Sequence, residues 1–292
     1  MFTDVISVVT IVKGRRRQLA NLVRGLNACS PLPSELVVGA MDELHREELP
    51  AAPYPIRIVA VPQSDTGHLP LARARNAAAR ASSGETIVFL DVDCIPAPDL
   101  LSVLAKACTK TGGVVMGNVR YLAQGHPAAE TWTPADLEAA SVPHPRRPQP
   151  APGQLMPTEN YALLWTLCIA LSRETFDRVG GLDDDYTGYG AEDTDFAFKL
   201  ERAGVPFHLV GATAYHQYHP VYRPPLNYFE DILANSVVFE RKWGRWPMEG
   251  WLGAFAELGL IEWDAEATAI ERLRSPTAAE VDAAFKDTGE GF

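Results

Sequence analysis

A short apolar run that ends in two acids constrains the fold of this chain more than any other segment. Residues 86–96 read TIVFLDVDCIP, with Asp91 and Asp93 directly after the apolar side chains. Such a run, bounded by turn-forming residues, is typical of a strand buried on both faces. Buried charge is costly without a partner, so we expect both carboxylates where the strand leaves the core. A divalent cation would suit them, although two solvated acids are the alternative, because Asp-x-Asp is common.

The composition is that of a water-soluble chain with a large core. Of the 292 residues, 47% are hydrophobic, and the formal net charge is −11. This charge argues against a nucleic-acid-binding surface, which would need excess Lys and Arg to neutralise phosphates. The four cysteines have no metal-ligand spacing, which predicts free thiols in a reducing compartment. No signal peptide or long apolar run is visible, so we expect a cytoplasmic protein and leave loose contact with a membrane face open.

Strand and helix patterns alternate around the acid pair. Strands are predicted at residues 4–12, 35–42, 57–61 and 86–90, and helices at residues 19–26 and 69–82. This order predicts parallel strands with right-handed crossovers, which is an open α/β sheet. The acid pair then lies at the carboxyl end of the fourth strand, where ligands bind in such sheets.

A second acidic cluster begins a helix about 100 residues later. Residues 180–195 read GGLDDDYTGYGAEDTD, which predicts a loop followed by a helix that starts near Glu192. On a helical wheel Glu192 and Asp193 flank the apolar direction, whereas Asp195 points away to the side. Acids suit a helix N-terminus through the macrodipole, but that does not explain why inward positions are charged. We therefore predict a functional acidic site here.

Other ionisable side chains could join either cluster. His216 and His219 follow a predicted strand at residues 206–210, and neutral imidazole is a common metal ligand. Alternation along an extended strand places them on opposite faces, so we expect only one to bind a metal. Arg73 and Arg75 project from the helix at residues 69–82, either onto a solvated face or toward a diphosphate, which guanidinium groups bind well.

Two segments resemble known glycosyltransferases. LARARNAAARASSGETIVFLDVDCIPAPDLL at residues 71–101 is similar to the nucleotide-sugar domain of GT-A glycosyltransferases of the family 2 type. GGLDDDYTGYGAEDTDFAFKLERAG at residues 180–204 is similar to the C-terminal part of the galactosyltransferase family, where a Gly-Trp-Gly-Gly-Glu-Asp pattern forms the acceptor side. The two motifs occur in the order that the resemblance requires, and with the opening strand and helix it covers about residues 5–245.

The resemblance implies an α/β fold of the GT-A type, with a mixed central sheet flanked by helices. A single domain would occupy residues 1–245, with a nucleotide-sugar half at 1–120 and an acceptor half at 158–245. Residues 123–157 contain eight prolines and no clear pattern, and we expect a mobile insertion that could close over the donor. Residues 246–292 would be a helical extension, with short helices at residues 264–274 and 277–286. Trp243, Trp246 and Trp251 either pack on the domain or flank an acceptor groove.

The resemblance also implies roles on the donor side. Asp42 would contact the base of the nucleotide. Asp91 and Asp93 would form the metal motif, with Asp93 the more direct ligand. His216 would be the later metal ligand, with His219 as the substitute, and the ion would be Mn²⁺ or Mg²⁺. Arg73 or Arg75 would approach the diphosphate. UDP is the commonest donor nucleotide in this group.

On the acceptor side, the resemblance makes Asp193 the catalytic base and Glu192 a ligand of acceptor hydroxyls. Tyr189 stands where the family prefers Trp, and it can still stack on a sugar ring. The acceptor would be a carbohydrate or another hydroxyl compound. One inward carboxylate suffices for an inverting displacement, whereas a retaining double displacement would need a second carboxylate near the anomeric carbon.

Two alternatives to a glycosyltransferase remain at this point. One is a Mg²⁺-dependent phosphatase or phosphoryl transferase with Asp91 as nucleophile and Asp93 as acid and base. In that class we expect the acid pair after the first strand, whereas here it follows the fourth. The other is a non-catalytic module that binds a sugar nucleotide.

Overall fold

A ten-stranded mixed sheet forms the centre of the described part of the chain. The structure, a computed structural model, describes residues 5–62, 67–127 and 131–287. Its strands are β1 (Ile6–Val12), β2 (Glu35–Ala40), β3 (Ile56–Ala60), β4 (Thr86–Leu90), β5 (Cys94–Pro96), β6 (Val114–Leu122), β7 (Ser141–Pro143), β8 (Leu155–Pro157), β9 (Cys168–Ser172), β10 (Phe207–His216), β11 (Val221–Tyr222), β12 (Ile261–Glu262), β13 (Glu271–Arg272) and β14 (Phe285–Lys286). Its α-helices are α1 (Arg16–Asn27), α2 (Leu71–Ala81), α3 (Leu100–Thr111), α4 (Pro134–Ala139), α5 (Arg173–Val179), α6 (Glu192–Arg202), α7 (Phe229–Trp243), α8 (Glu249–Glu257) and α9 (Ala278–Ala284).

The first half of the sheet is parallel, as the alternation of strands and helices predicts. The main path runs β3-β2-β1-β4-β9-β6-β10-β5. β1 pairs in parallel with β2 and β4, and β2 pairs in parallel with β3. β9 then runs antiparallel between β4 and β6, which makes the sheet mixed. The predicted α/β class with a mixed central sheet flanked by helices is confirmed.

Helices cover each face of the sheet and turn their apolar sides toward it. On α1, an apolar stripe is fully buried against one face, together with apolar residues of α3; it consists of Leu19, Leu22, Val23 and Leu26. The opposite face packs on α2, α5 and α6, where Phe196 is fully buried. Burial of one such side chain contributes about 1.5–3 kcal/mol, so these helices are fixed mainly by their apolar faces.

The strand ends place the site at one edge of the sheet. β4 is buried along its whole length and ends at Leu90, directly before Asp91. β9 runs the opposite way, so the residues just before it lie at the same edge, and the Asp91 backbone N–H donates to the Leu167 carbonyl (3.0 Å). β6 and β10 run parallel to each other, with His216 opposite Tyr121 at their carboxyl ends. Side chains from four strands therefore converge here.

The Pro-rich insertion contains more regular structure than its sequence predicts. Within residues 123–157, α4 forms behind a Thr133 cap, β7 pairs with β6, and β8 pairs with β10. Three-residue strands have too few positions to show alternation, and they exist because a longer strand supplies the partner. Residues 128–130 of this segment lie outside the described residues, and its predicted mobility stays a prediction.

The C-terminal extension packs on α7 through a shared apolar cluster. Ile232 of α7, Phe255 of α8 and Ala284 of α9 belong to this cluster. The predicted helix at residues 277–286 corresponds to α9. The predicted helix at residues 264–274 is wrong, because this stretch contains turns and β13, which pairs with β12. No helix in the described residues has both the length and the apolarity needed to cross a membrane.

Candidate active site

Asp93 lies in the turn after β4, and basic side chains surround its carboxylate. The side chain is 5% exposed and forms an ion pair with Arg15. His216 Nε2 lies 3.5 Å from Asp93 Oδ1, and His219 Nε2 lies 3.5 Å from Asp93 Oδ2. Burial alone would raise the pKa of Asp93, but His216, His219 and Arg15 together hold that pKa below its usual value. Asp93 is thus an ionised carboxylate at the centre of the cluster.

Asp93, His216 and His219 have the arrangement of a metal site. Each offers one ligand atom, and these atoms lie within 4.8 Å of one another. Asp93 Oδ1 is buried and, among the described residues, has no hydrogen-bond donor. A buried carboxylate oxygen without a donor is costly, and a cation would satisfy it. One carboxylate and two imidazoles suit Mn²⁺ or a similar transition metal better than Mg²⁺, which favours oxygen ligands.

The prediction that the two histidines face opposite sides is wrong. Their rings approach each other, with centroids 5.2 Å apart. β10 ends at His216, so strand alternation does not extend to His219. The Gln217 backbone N–H donates to the Asp93 carbonyl (2.7 Å) and turns the chain back toward the acid.

Arg75 joins the two acidic motifs. This guanidinium projects from α2, is nearly buried, and lies 3.1 Å from both Asp91 Oδ1 and Glu192 Oε1. Asp91 therefore faces Arg75 and is not a member of the cluster at Asp93. Of the two arginines considered from the sequence, only Arg75 reaches the acids, because Arg73 donates to the Pro62 carbonyl (2.5 Å).

The acids around Arg75 carry more negative charge than one guanidinium can offset. Burial raises the pKa of Glu192 to about 7, with Asp193 adding to the rise and Arg75 opposing it. Burial also raises the pKa values of Asp193 and Asp91, against the attraction of Arg75. Because these groups titrate together, the cluster retains a proton near neutral pH more readily than isolated carboxyls would.

Asp193 remains accessible at the start of α6. Its side chain is partly exposed, and the Thr194 backbone N–H donates to its Oδ1 (3.1 Å). A backbone hydrogen bond from Thr166, just before β9, also stabilises the carboxylate. Asp193 is therefore fixed in position while an oxygen remains available, and a raised pKa makes it a stronger base than a solvated aspartate.

Asp195 is buried and paired within the protein, which the helical wheel does not reveal. The prediction that it points away laterally overlooks α7, which covers this side of α6. Asp195 is fully buried and accepts hydrogen bonds from Tyr186 Oη (3.2 Å) and Trp243 Nε1 (2.8 Å). Lys242 Nζ lies 2.7 Å from its Oδ1, which compensates the buried charge.

Asp42 lies at the carboxyl end of β2. Its carboxylate accepts hydrogen bonds from the Gly14 backbone N–H (2.7 Å) and from Arg16 Nη1 (3.2 Å). Both donors belong to the segment that follows β1, the segment that also provides Arg15. Asp42 is thus next to the site but does not belong to the acid clusters, and its contact with a nucleotide base stays a prediction.

Tyr189 is part of an aromatic stack. Its ring stacks on Tyr228, with centroids 4.5 Å apart, and on Trp251 of the extension, with centroids 5.8 Å apart. Of the three tryptophans considered as groove residues, Trp251 thus reaches Tyr189, Trp243 donates to Asp195, and Trp246 is buried in the apolar cluster of the extension. Stacking of Tyr189 on a sugar stays a prediction. The Tyr189 ring already contacts two aromatic rings of the protein.

An open cavity of about 580 Å³ lies beside this stack. Its lining includes Lys13, His68, Tyr228 and Asp231. His68 Nδ1 lies 2.6 Å from Asp231 Oδ1, and Asp231 Oδ2 accepts a hydrogen bond from the Tyr189 backbone N–H (3.0 Å). The cavity wall is therefore linked to the loop that precedes α6, and its polar groups suit a hydroxylated ligand.

The insertion adds a cation that the sequence patterns do not reveal. The Arg147 guanidinium lies 3.2 Å above the centre of the Trp165 ring and donates to the Leu163 carbonyl. Burial lowers the pKa of Arg147 to about 10, with only partial compensation from Tyr121 and Asp193. Tyr121 in turn contacts His216, with ring centroids 4.9 Å apart. Arg147 is therefore close to both the metal cluster and Asp193, and only the tertiary packing on Trp165 identifies it.

Two family models match overlapping parts of the chain. The model described as Glycosyl transferase family 2 matches residues 46–180. The model described as N-terminal domain of galactosyltransferase matches residues 151–223. The first match contains the Asp-Val-Asp turn after β4, and the second contains the start of α6. The two matches thus agree with the family resemblances of the two acidic motifs.

Two curated proteins are similar over part of their length. They are the Validoxylamine A glucosyltransferases of Streptomyces hygroscopicus subsp. jinggangensis (strain 5008) and of S. hygroscopicus subsp. limoneus. Each is 32% identical over 168 residues, which is 52% of this chain. The chain covers 39% of the first relative and 37% of the second, which is less than half of either.

Two solved structures have a fold similar to that of this chain. A crystal structure of GalNAc-T7 with UDP, GalNAc and Mn²⁺ has a TM-score of 0.53 at 15% identity, over 75% of this chain and 44% of that one. A crystal structure of S. aureus TarS 1–349 in complex with UDP has a TM-score of 0.53 at 14% identity, over 80% of this chain and 65% of that one. Both are GT-A glycosyltransferases, and at these identities the likeness concerns the fold.

Proposed function

We propose that this protein is a metal-dependent glycosyltransferase, because it has the GT-A glycosyltransferase fold and matches the model of glycosyltransferase family 2 at residues 46–180. It transfers a sugar from a nucleotide-diphosphate donor to an acceptor hydroxyl, with inversion at the anomeric carbon. UDP is the nucleotide we expect, since UDP is named with both of the similar solved structures. The acceptor is a carbohydrate or another hydroxyl compound.

One observation carries this proposal. Arg75 bonds to both Asp91 and Glu192, so the turn after β4 and the start of α6 form one continuous site. A donor held at Asp93 and an acceptor held at Asp193 would then lie next to each other. The phosphatase alternative requires Asp91 as a free nucleophile, whereas this carboxylate is paired with Arg75.

The donor side would be organised by the Asp93 cluster. Asp93, His216 and His219 would hold a divalent cation, with Mn²⁺ favoured by the imidazole ligands. A bound cation supplies Lewis-acid neutralisation of the departing diphosphate. The Arg147 guanidinium would add a positive charge on the same side, because it is partly buried and its neighbours compensate it only in part.

The acceptor side would be organised by α6 and the loop before it. Asp193 takes the proton of the acceptor hydroxyl while the acceptor oxygen bonds to the anomeric carbon and the bond from that carbon to the diphosphate oxygen breaks. Glu192 holds a neighbouring hydroxyl, and its raised pKa lets it donate or accept a hydrogen bond. The polar cavity at His68 and Asp231 would receive the rest of the acceptor.

The decisive experiment is a screen of nucleotide sugars. The purified chain is incubated with UDP-, GDP- and TDP-sugars, with Mn²⁺, with Mg²⁺ or with EDTA, and release of the nucleoside diphosphate is measured. We expect release from one donor class with Mn²⁺, less with Mg²⁺ and none with EDTA. Simple phosphate esters serve as the control substrates. Phosphate release from the esters, without release of any nucleoside diphosphate, would contradict the proposal in favour of a phosphatase.

A further inference from the structure

The segment that carries His219 is not part of the central sheet. It comprises residues 217–222 and follows β10 directly. His216 is fixed by strand pairing with both Tyr121 and Cys94. His219 has no such pairing, so contacts of the segment with other parts of the chain must set its position.

On its inner side, this segment is anchored by Gln217. The Gln217 backbone N–H donates to the Asp93 carbonyl (2.7 Å). Its side-chain oxygen accepts from Asn21 Nδ2 (2.8 Å), and its Nε2 donates to the Gln18 carbonyl of α1 (3.1 Å). Gln217 is buried, so these bonds are protected from water. They fix the start of the segment and leave its outer side to be held by something else.

On its outer side, the segment is held by the C-terminal extension. Asp287 Oδ1 accepts hydrogen bonds from Tyr218 Oη (2.8 Å) and Gln124 Nε2 (2.9 Å). β14 pairs with β11, and the rings of Phe285 and Tyr222 lie 5.3 Å apart. The extension therefore contacts the chain on both sides of His219, at the residue before it and at the strand after it.

We propose that residues 285–287 are a positioning element for the metal site. They hold the segment at residues 217–222 so that the His219 imidazole faces Asp93 before a cation binds. Without them, a metal ion would have to order the segment itself, and the conformational entropy lost would weaken binding. This inference rests on the proposed metal site, and it gives the extension a role that neither acidic motif requires.

The test measures Mn²⁺ affinity directly, without donor or acceptor. The full-length chain is titrated with Mn²⁺, and free Mn²⁺ is followed by electron paramagnetic resonance. We expect Asp287→Ala to weaken Mn²⁺ binding about fivefold, because the hydrogen bond that Tyr218 of the segment donates to Asp287 is lost, together with the one from Gln124. Asp287→Asn keeps an acceptor oxygen without the charge, so it should bind Mn²⁺ within about twofold of the unmodified chain.

Two further variants separate positioning from general effects. Asp282→Ala removes an exposed acid from α9 in the same extension, and it should leave Mn²⁺ affinity unchanged. Phe285→Ala removes the ring contact with Tyr222, and it should weaken Mn²⁺ binding in the same direction as Asp287→Ala. Melting temperatures of all variants without metal are measured in parallel, because reduced stability alone would not change the affinity of the folded fraction.

The outcomes distinguish this inference from the metal site on which it rests. If the unmodified chain binds Mn²⁺ and both Asp287→Ala and Phe285→Ala bind it equally well, the positioning role is wrong and the metal site stands. If Asp287→Asn is as weak as Asp287→Ala, the effect is one of charge and the positioning role is also wrong. If the unmodified chain does not bind Mn²⁺, both the metal site and the positioning role are overturned.

Discussion

At the scale of single residues, Arg15 contacts the Asp93 carboxylate, which we assign as a metal ligand. It forms an ion pair with Asp93, which is otherwise faced by two imidazoles. A guanidinium and a divalent cation compete for the same oxygens, so a metal ion must displace this contact. Asp93 remains ionised in either state, because its pKa is held below the usual value.

Removal of this competitor should strengthen metal binding. We expect Arg15→Ala to bind Mn²⁺ severalfold more tightly than the unmodified chain, since the apparent affinity rises with the fraction of Asp93 that is free to bind. Titration with Mn²⁺ followed by electron paramagnetic resonance measures this. Arg17→Ala, which removes an arginine two residues later that is bonded to the Pro127 carbonyl, is the matched control. Weaker Mn²⁺ binding by Arg15→Ala would show that Arg15 supports the site.

Asp193 allows a separate prediction for the chemical step. Asp193→Asn removes the base but keeps a side chain of similar size, so transfer should fall by about two orders of magnitude or more. Donor and Mn²⁺ affinities should stay close to those of the unmodified chain, because neither depends on this proton transfer. The rate of transfer and the affinity for UDP are the two measurements. Asp185→Asn, in the exposed loop before α6, is the control and should leave both unchanged.

The sequence predicts individual site residues unevenly, for physical reasons. Asp93 and Glu192 are identified because charge at the end of a buried strand, or on the inward side of a helix, conflicts with its surroundings. Arg15 and Arg147 are missed because an arginine in a polar segment conflicts with nothing until a distant carboxylate or ring packs against it. Asp195 shows the reverse error, since a helical wheel contains no information about the second helix that covers it.

At the scale of elements, the insertion at residues 123–157 contributes a positively charged side chain, Arg147, in a fixed position. Arg147 is fixed by its stack on Trp165 and by the Leu163 carbonyl, both from the segment just before β9. A cation above an aromatic ring is stabilised by about 0.5–2 kcal/mol, and its planar shape keeps it in one orientation. Arg147 thus joins the insertion to the site.

A substitution at this position should weaken binding of the donor nucleotide. We expect Arg147→Ala to lower the affinity for UDP in the presence of Mn²⁺ about tenfold, because a partly buried positive charge near the diphosphate is lost. Arg147→Lys should recover only part of the affinity, since an ammonium group cannot stack in the same way. Isothermal titration calorimetry gives both values.

The adjacent arginine provides the control for that experiment. Arg146 is exposed and carries the same charge one residue earlier, so Arg146→Ala should bind UDP as the unmodified chain does. Equal losses in Arg146→Ala and Arg147→Ala would mean that the effect is long-range attraction. In that case Arg147 would have no specific contact with the donor.

At the scale of the whole molecule, the sequence predicts the parallel part of the sheet best. β1, β2 and β4 are apolar runs separated by helical patterns, and these local signals are sufficient. β7 and β8 are short, and β9 runs antiparallel between two strands that are parallel to each other. These features depend on which partner the fold provides. The C-terminal extension also depends on a partner strand, because β14 forms only where it pairs with β11.

Folding stability should depend on pH through the buried acids that bridge the two halves of the sequence. The pKa of Glu192 is raised from 4.5 to about 7, chiefly by burial. Its protonated form is therefore favoured by the folded state. The resulting contribution to stability is fully present below the unfolded pKa, and it is lost as pH rises through the folded pKa. The loss falls between about pH 4.5 and pH 7, and for a single site it amounts to at most about 3 kcal/mol.

Glu192→Gln removes this titration while keeping a neutral side chain of the same size. The free energy of unfolding of this variant, relative to the unmodified chain, should rise by about 1–3 kcal/mol between pH 5 and pH 8. Urea unfolding at both pH values without metal measures it. Glu201→Gln, exposed on the same helix, should show a difference that does not change with pH. A pH-independent difference for Glu192→Gln would mean that Arg75 keeps Glu192 ionised throughout, so that the proton of the cluster resides on another carboxyl.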